Sequence, residues 1–471
     1  MKRGDRVHLV GIGGIAMASL AAMLAESGFV VSGSDAGVYP PASELLRKAG
    51  IAWKEGFREA NLDPRPDCVV IGNALSRGNP EVERILDEKI PYASLTSVIE
   101  DVFLPGRRSL VVTGTHGKTT TTSLLAWVMH VAGRRPNFLV GGMVEDFGSS
   151  YGLAGGEEFV IEGDEYDSAF FDKTPKFLHY HPDEIIITSI EFDHADIYPD
   201  LAAIELQFRR LVNLVPRSGR IVAWGESATV RAIIEKAFCP VETYGLGTEC
   251  DWTAENLEFG GDATRFRVAH CGNEIGTFEM RLAGRHNVLN ALSVIALAAG
   301  RGVPLNAIRE ALATFRGIRR RLELRGEARG VLVVDDFAHH PTAARETIAA
   351  ARGRWPGRRI WAAFEPRSNT MRRNLLENEL ADALGTADLA IIGPVNRPHL
   401  LSEDERLEPA RVVARIQGEG RVAWAFDSAA DIAEFVAGEA REGDLVLTLS
   451  NGSFDGLCEK LLQKLGRSGR G

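Results

Sequence analysis

The sequence predicts an α/β protein built from three domains, and three observations support this prediction. A chain of 471 residues is too long for a single hydrophobic core, so about three domains are expected. Short β-branched runs alternate with helical segments, which is typical of parallel sheets flanked by helices. Many of these runs end in glycine or polar clusters, where a doubly wound sheet binds its ligand. We expect a Rossmann-like domain over residues 1–106, a central P-loop ATPase-type domain over 107–317 and a second Rossmann-like domain over 318–471.

The first segment has the pattern of a nucleotide-binding βαβ unit. A strand at 7–11 leads into a Gly-rich turn, and an apolar helix follows to about residue 27. A second strand at 29–32 is followed by Ser34 and Asp35, the place of a ribose-binding carboxylate. The alternative is a tight turn in a parallel sheet without a ligand. The turn residues expected to face the ligand are Gly11, Gly13 and Gly14. The segment is completed by a strand at 68–71, a helix at 80–89 and a linker at 104–108.

Residues 111–120, the most informative stretch of the chain, predict a site for a nucleoside triphosphate. An apolar strand enters a Gly-rich turn, and a helix opens at Lys118 and Thr119. Backbone N–H groups and one ammonium directed at one place suit a polyphosphate, with Thr119 ligating the accompanying Mg²⁺. Val112 stands where the common motif has its first glycine, so a chance Gly-rich turn is the alternative. The residues predicted to bind ATP here are Gly114, Thr115, His116, Gly117, Lys118, Thr119 and Thr120.

Two further strands of this segment end in polar clusters that we expect beside the phosphate turn. The strand at 159–161 is followed by Glu162, and the strand at 185–187 precedes a cluster that contains His194. Because ligands bind at the carboxyl ends of parallel strands, both side chains are predicted to face Mg²⁺ with Thr119. The alternatives are a helix N-cap for the acid and an ordinary structural hydrogen bond for the histidine.

The end of this segment and the third segment supply the other candidate residues. His286, Asn287 and Asn290 lie on one helical face, and Asn amides suit the edge of adenine; a helix cap is the alternative for Asn287. Strands at 331–334, 360–364, 389–392 and 445–449 predict a third doubly wound sheet with its own crevice. The arginine run 319–321 is either a solvated face or a source of charge for a transferring phosphoryl group. Further arginines suited to a substrate carboxylate are Arg367, Arg372 and Arg373.

The charge and the cysteine content of the chain indicate which partners and which compartment to expect. The net charge of −10 argues against nucleic acid or an anionic membrane as a partner, and no segment is expected to insert into a membrane. The five cysteines are scattered and lack C-x-x-C spacing, which indicates free thiols in a reducing compartment. His8 and several glycines interrupt the only stretch that resembles a signal peptide. We therefore expect a cytoplasmic enzyme.

Taken together, these motifs resemble the Mur ligase family of ATP-dependent amide-forming enzymes in bacterial peptidoglycan metabolism. The resemblance spans essentially the whole chain, including the phosphate turn, the clusters at 162–165 and 191–194, and the stretch 335–341. It implies ATP and Mg²⁺ as cofactors, UDP-N-acetylmuramate and an amine acceptor as substrates, and a monomer or weak oligomer. The catalytic residues it implies are Lys118, Glu162 and His194. Its further implied contacts are Arg321 and Asp336 with ATP, Gly11, Gly13, Gly14, Ser34 and Asp35 with the UDP substrate, and His339, Arg367 and Ser368 with substrate.

Within the family, Arg367 and Ser368 favour the branch that takes the tripeptide L-Ala-γ-D-Glu-meso-diaminopimelate in peptidoglycan recycling. One alternative is the branch of the family that adds L-alanine. A second alternative, from another functional class, is a binding protein that uses the nucleotide only to close its domains. Two departures from the family pattern stand out. Residues 200–216 contain no lysine, although several members carry a carbamylated lysine there, and Ser189 replaces a common asparagine.

Overall fold

The computed structural model describes residues 1–261 and 263–467, which form three sheets flanked by helices and one small hairpin. The predicted three-part α/β fold class is confirmed. The first sheet is entirely parallel, with strand order β3-β2-β1-β4-β5. Its strands are β1 (Arg6–Val10), β2 (Val30–Asp35), β3 (Trp53–Glu55), β4 (Cys68–Ile71) and β5 (Tyr92–Ala93). Its helices are α1 (Ile15–Glu26), α2 (Ala42–Lys48), α3 (Pro80–Asp87) and α4 (Leu95–Val98).

The central sheet has ten strands and contains the phosphate loop, which we define as residues 114–117. The strands are β6 (Arg108–Thr113), β7 (Asn137–Val144), β8 (Ser149–Leu153), β9 (Glu158–Gly163), β12 (Glu184–Ile187), β13 (Arg220–Trp224), β14 (Val241–Gly245), β15 (Trp252–Gly260), β16 (Ala263–His270) and β17 (Asn273–Met280). The small hairpin consists of β10 (Asp167–Ala169) and β11 (Asp172–Pro175). The helices are α5 (Lys118–Val131), α6 (Leu201–Leu214), α7 (Ala228–Ile234), α8 (Arg285–Gly300) and α9 (Leu305–Thr314). The order is β17-β16-β15-β14-β13-β12-β6-β9-β7-β8.

The third sheet has six strands in the order β18-β19-β23-β20-β21-β22, of which only the edge strand β18 is antiparallel. Its strands are β18 (Glu323–Ala328), β19 (Val331–Asp336), β20 (Ile360–Phe364), β21 (Leu389–Ile392), β22 (Ala423–Ala425) and β23 (Leu445–Leu449). Its helices are α10 (Pro341–Arg354), α11 (Glu377–Leu384), α12 (Pro409–Gly418), α13 (Ala429–Glu439) and α14 (Leu457–Arg467). We propose domain boundaries at 106/107 and 317/318, between the strands of successive sheets.

Strand register brings the predicted clusters to one edge of the central sheet. β6 lies between β9 and β12, with Thr113 paired to Gly163 on one side and to Ile187 on the other. The phosphate loop therefore starts beside the polar residues that end both neighbouring strands. None of the helices in the described residues combines the length and the apolar composition needed to cross a bilayer.

The antiparallel strands β15 to β17 are the largest feature that the sequence analysis did not predict. They extend the central sheet beyond its parallel part, and inward-facing residues such as Phe266 and Phe278 are buried against α8 and α9. Outward positions on these strands are polar and exposed, so the apolar signal of each strand is interrupted at every second residue.

Candidate active site

The neighbouring strand end at Ser189 holds the phosphate loop in place. Gly114 has a φ of +128°, and an added Cβ there would lie 2.2 Å from the Thr188 Oγ1. The His116 N–H donates to the Ser189 Oγ at 3.0 Å. Gly117, with a φ of +80°, ends the loop as the N-cap residue of α5. The loop therefore requires glycine at both positions, and Ser189, whose role the sequence left open, anchors its backbone.

Lys118 belongs to a chain of charges that is centred on the buried Glu165. Its Nζ donates to the Glu165 Oε2 at 2.8 Å and to the Gly114 carbonyl at 2.7 Å, and the Glu165 Oε1 lies 3.2 Å from the His194 Nε2. Burial alone would lower the pKa of Lys118, but the carboxylates of Glu165 and Asp164 raise it. Burial would likewise lower the pKa of His194, whereas the bond to Glu165 raises it to about 9. Both groups are therefore cationic at neutral pH in the absence of ligands.

The three predicted Mg²⁺ ligands lie in two neighbouring groups, and binding of Mg²⁺ by Thr119, Glu162 and His194 stays a prediction. The Thr119 Oγ1 donates to the Glu162 Oε1 at 2.9 Å, so these two groups share a site. Within residues 1–261 and 263–467, His194 makes no hydrogen bond or ion pair with Glu162. It lies instead with Asp164 and Glu165, one ligand atom of each falling within 4.8 Å of the others. Side chains at the ends of two neighbouring strands can point in different directions, and the spacing of residues in the sequence does not show which direction each one takes.

Both places fit a hard cation by the chemistry of their donors. Hydroxyl and carboxylate oxygens are the ligands that Mg²⁺ prefers, with imidazole as a softer partner. Burial raises the pKa of Glu162, although the Gly141 N–H donates to its Oε2 at 2.7 Å. A bound cation would stabilise the ionised form of this carboxylate.

A cleft of about 1050 Å³ lies between the phosphate loop, the start of α8 and the β19–α10 connection. Asn287 and Asn290 both line it, but they also bond to their surroundings. The Asn287 Nδ2 donates to the Ala283 carbonyl at 2.7 Å, and the Asn290 Nδ2 donates to the Asn287 Oδ1 at 3.2 Å. Contact of these amides with adenine therefore stays a prediction. The predicted ATP-binding residues that line the cleft are His116, Gly117, Thr120, His286, Asn287, Asn290, Arg321 and Asp336.

The three arginines of the run 319–321 have different environments. The Arg319 Nε donates to the Glu145 Oε1 at 2.9 Å, and the Arg320 Nε donates to the Asp335 Oδ2 at 2.9 Å. The Arg321 guanidinium makes no hydrogen bond or ion pair in the part of the chain that the structure describes. Of the three, Arg321 is the one whose charge is free to meet a ligand in the cleft.

Asp336 forms part of the wall beside Arg321. Its Oδ2 accepts the Leu322 N–H at 2.8 Å and its Oδ1 accepts the Ala338 N–H at 2.8 Å. Burial raises the pKa of Asp336, and the charge of Arg321 opposes that rise. The carboxylate thus fixes two backbone segments at the cleft and attracts Arg321.

A second cavity, of about 310 Å³, lies where the strand-end loops of the central and third sheets meet. His194 lines it together with His339, Arg367 and Ser368, the residues predicted to bind substrate. The Arg367 Nη1 lies 3.4 Å from the Glu365 Oε1. The structure therefore brings these predicted residues of the third segment to the same place as His194.

A contact between loops closes one side of this cavity. The Thr370 Oγ1 donates to the Asp193 Oδ1 and accepts the Ala195 N–H at 3.2 Å. The side chain of Asn369 donates to the Asp196 Oδ2 at 2.7 Å. These bonds join the loop after β20 to the loop after β12, so the third sheet is held against His194.

The turn of the first sheet is built differently from the sequence prediction. The Asp35 Oδ2 accepts the Gly13 N–H at 2.8 Å, and its Oδ1 accepts the Gly37 N–H at 3.1 Å. Ser34 is fully buried and its hydroxyl donates to the Glu81 Oε2 at 2.7 Å. The Ser34 hydroxyl is therefore committed to Glu81, and contact of Ser34 with substrate stays a prediction, while Asp35 shapes the turn with both oxygens. No motif in the sequence indicates Glu81 as the partner of Ser34, because the two residues lie far apart in the chain.

A cluster that was not predicted from the sequence joins the phosphate loop to α10. The His116 Nε2 lies 3.1 Å from the Glu191 Oε2, and the Thr342 Oγ1 donates to the same oxygen at 2.7 Å. The His340 Nδ1 lies 3.7 Å from it and accepts the Thr342 N–H at 3.3 Å, which caps α10. Burial would raise the pKa of Glu191, but its bond to His116 lowers it to about 2. The only signal in the sequence was the place of these residues after strands.

Gly114→Ala is expected to weaken ADP binding at least about tenfold, or about 1.4 kcal/mol. The new Cβ would meet the Thr188 Oγ1 and the backbone of Ser189, and it would impose a strained left-handed conformation on a residue other than glycine. Titration calorimetry with ADP measures the effect. Gly438→Ala in α13, where an added Cβ meets nothing within 4 Å, is the matched control. Equal ADP affinity in both variants would contradict this account of the loop.

His340→Asn is expected to make the protein less sensitive to acid. Burial and the nearby His116 lower the pKa of His340 to about 4, from the ordinary 6.5 of the unfolded chain. A depressed pKa contributes stability that is present above pH 6.5 and lost as the pH falls through about 4, by about 3 kcal/mol at most. Asparagine keeps an N-cap for α10 without this titration.

Urea unfolding midpoints between pH 7 and pH 4 measure the difference, with the exposed His399→Asn as control. The groups that face His340 are His116, Glu191, Asp193 and His339, and all are retained in both variants. The same loss of stability in the wild type and in His340→Asn would show that this imidazole is not held neutral.

Comparison with known proteins places these features in a family context. Residues 6–104 match the description "Mur ligase family, catalytic domain", residues 112–298 "Mur ligase middle domain" and residues 320–452 "Mur ligase, glutamate ligase domain". The chain is 43% identical over 98% of both chains to the UDP-N-acetylmuramate–L-alanyl-γ-D-glutamyl-meso-2,6-diaminoheptandioate ligase of Escherichia coli K12. It is 36% identical, over 98% of this chain and 96% of the relative, to the UDP-N-acetylmuramate–L-alanine ligase of Myxococcus xanthus. A crystal structure of a murein peptide ligase from Psychrobacter arcticus has a TM-score of 0.75 and 36% identity, covering 98% of this chain and 99% of that chain.

Proposed function

The chain belongs to the Mur ligase family, and we propose that it joins UDP-N-acetylmuramate to the tripeptide L-Ala-γ-D-Glu-meso-diaminopimelate at the expense of ATP. The bond formed is an amide between the lactoyl carboxylate of the sugar nucleotide and the alanine amine of the peptide. Such a reaction would return cell-wall tripeptide to peptidoglycan synthesis, and we propose that the enzyme acts in the cytoplasm.

One observation of the structure carries this proposal. The chain Lys118–Glu165–His194 runs from the phosphate loop to the second cavity, where Arg367 and His339 stand. Phosphate-binding and acceptor-binding groups are thus separated by a single carboxylate. An enzyme that makes an acyl phosphate and passes it to an amine needs this proximity, because the intermediate must meet the amine before it meets water.

In the first step, the lactoyl carboxylate attacks the γ-phosphorus of ATP, forming an acyl phosphate and releasing ADP. Lys118 and the N–H groups in the first turn of α5 hold the phosphates, and Arg321 approaches them from the third segment. Asn287 and Asn290 are placed to contact adenine. Mg²⁺ held by Thr119 and Glu162, and by the group that contains His194, would supply positive charge to the phosphoryl group.

In the second step, the peptide amine attacks the acyl carbon, and the tetrahedral intermediate collapses with release of inorganic phosphate. The amine must lose a proton. The His339 Nδ1–H donates to the Phe337 carbonyl at 3.0 Å, which leaves Nε2 as the basic nitrogen. Burial lowers the pKa of His339, so this nitrogen is unprotonated at neutral pH. We assign it the role of receiving the amine proton.

The UDP moiety is assigned to the turn of the first sheet. Gly11, Gly13 and Gly14 open the turn towards solvent, and Asp35 holds its shape. The N–H groups in the first turn of the twelve-residue helix α1, which follows this glycine turn, suit the diphosphate. Recognition of the UDP moiety is thus assigned to the first sheet, and phosphoryl transfer from ATP to the central sheet.

The test is phosphate release with each substrate omitted in turn. We expect release only when ATP, UDP-N-acetylmuramate and an amine acceptor are all present. The 36% identity to an L-alanine ligase makes that activity the second candidate, so L-alanine and the tripeptide are compared as acceptors. A preference for L-alanine would replace the proposed acceptor. Nucleotide binding without phosphate release under any condition would indicate a binding protein instead of a ligase.

A further inference from the structure

The second cavity carries an arginine that neither the sequence motifs nor the proposed mechanism uses. Arg397 lines this cavity from the loop after β21, whereas Arg367 and Arg372 line it from the loop after β20. In the described residues its guanidinium makes no hydrogen bond and no ion pair. It is exposed, and it has a φ of +49° and a ψ of +57°, a left-handed conformation that is uncommon for arginine.

Arg372 makes the positive charge of this wall stronger. Its Nη2 donates to the Asn369 Oδ1, and its Nε is buried without a partner in the described part of the chain. Burial lowers the pKa of Arg372, and the charges of Arg397 and Arg373 lower it further. Two guanidinium groups therefore face one cavity, and the charge of Arg397 disfavours the charged form of Arg372.

The carboxylate of Asp196, whose charge acts on Arg372, forms no ion pair with either arginine in the described residues. Asp196 accepts hydrogen bonds from the Tyr166 hydroxyl and from the Asn369 amide, both of which are uncharged donors. A ligand carboxylate is the group that would satisfy the free N–H donors and relieve the repulsion between the two cations.

We propose that Arg397, together with Arg372, binds a carboxylate of the acceptor peptide beyond its first residue and so sets the preference for a peptide over a single amino acid. This inference rests on the proposed ligase function. The acceptor amine has to reach the acyl phosphate beside His194, which lines the same cavity. L-Alanine carries its only carboxylate one atom from that amine, whereas the tripeptide carries further carboxylates on D-Glu and diaminopimelate that extend away from it.

The test compares acceptors in the wild type and in Arg397→Asn. Asparagine removes the charge and suits a left-handed backbone, so the variant is expected to fold as well as the wild type. We expect kcat/KM for the tripeptide to fall about 10- to 100-fold, mainly through KM, because a charge-assisted hydrogen bond is lost. The slow rate with L-alanine and the KM values for ATP and UDP-N-acetylmuramate are expected to stay unchanged. Arg397→Lys is expected to recover part of the loss.

Arg411→Asn is the matched control, since this exposed arginine pairs with Glu377 away from the cavity. A similar loss with every acceptor in Arg397→Asn, or no loss with the tripeptide, would overturn the inference. A wild type that prefers L-alanine would instead overturn the proposed function, which the same assay shows before any variant is made. A tripeptide whose carboxylates are amidated provides an independent experiment. The wild type should have a low kcat/KM for this acceptor, and Arg397→Asn should lower that value little further.

Discussion

Lys118→Ala is expected to reduce ATP-dependent ligation at least about 1000-fold while binding of UDP-N-acetylmuramate persists. The ammonium is the cation nearest the phosphate loop, bonded to the Gly114 carbonyl at 2.7 Å and to Glu165 at 2.8 Å. Without it, the buried Glu165 carboxylate would repel the phosphates that the loop has to hold. The UDP site that we propose lies in the first sheet, on other strands, so its affinity should not change. Coupled measurement of phosphate release and calorimetric titration of UDP-N-acetylmuramate check the two parts.

Removal of Lys118 also leaves a buried carboxylate with one partner fewer, which costs about 3–5 kcal/mol when such a pair is broken. The double variant Lys118→Met with Glu165→Gln removes both charges and is expected to regain stability without regaining turnover. Lys173→Ala is the matched control, because Lys173 is 68% exposed and pairs with Asp167 on the β10–β11 hairpin. Turnover within tenfold of the wild type in Lys118→Ala would refute the phosphate-binding role. Loss of UDP-N-acetylmuramate binding in a folded variant would mean that the proposed domains are assigned to the wrong ligands.

Much of the fold was predictable because its parallel strands are short, buried on both faces and continuously apolar. The strands at 68–71, 360–364, 389–392 and 445–449 have the predicted bounds. The antiparallel strands β15 to β17 escaped because each buries one face and exposes the other, so their apolar residues are not consecutive. The local pattern of apolar residues thus predicts strands that have a strong periodic signal. It does not predict strands whose apolar residues can be recognised only from their tertiary packing.

The site shows the same limit at the level of single side chains. The sequence placed Glu162 and His194 at neighbouring strand ends, but it did not show that His194 turns to Glu165. It placed Ser34 beside a ligand turn, although the hydroxyl is committed to Glu81, which lies 47 residues further along the chain. A motif identifies which strand end carries chemistry. The partner of each side chain depends on contacts between segments far apart in the sequence.

Arg321→Ala is expected to lower kcat about 1000-fold with a smaller effect on ADP affinity. An arginine that meets the transferring phosphoryl group stabilises charge that is greatest in the transition state, and such residues contribute about 10³- to 10⁵-fold. Arg321 lines the cleft that we propose for ATP, its Cζ lies 5.1 Å from the centre of the Phe337 ring, and it has no ion-pair partner among the described residues. Single-turnover phosphate release measures the chemical step, and calorimetry with ADP measures ground-state binding.

The run of three arginines supplies the control that separates position from charge. Arg319→Ala removes the same charge two residues away, but the Arg319 side chain is 53% exposed and pairs with Glu145, so at most a few-fold change is expected. Arg321→Lys keeps the charge and loses the planar fork, so it should recover activity only in part. Equal losses of kcat in Arg319→Ala and Arg321→Ala would indicate that the arginines act only through the overall positive charge of the cleft. A large loss confined to Arg321 requires that this one guanidinium reaches the phosphates, because its two neighbours are already committed to Glu145 and Asp335.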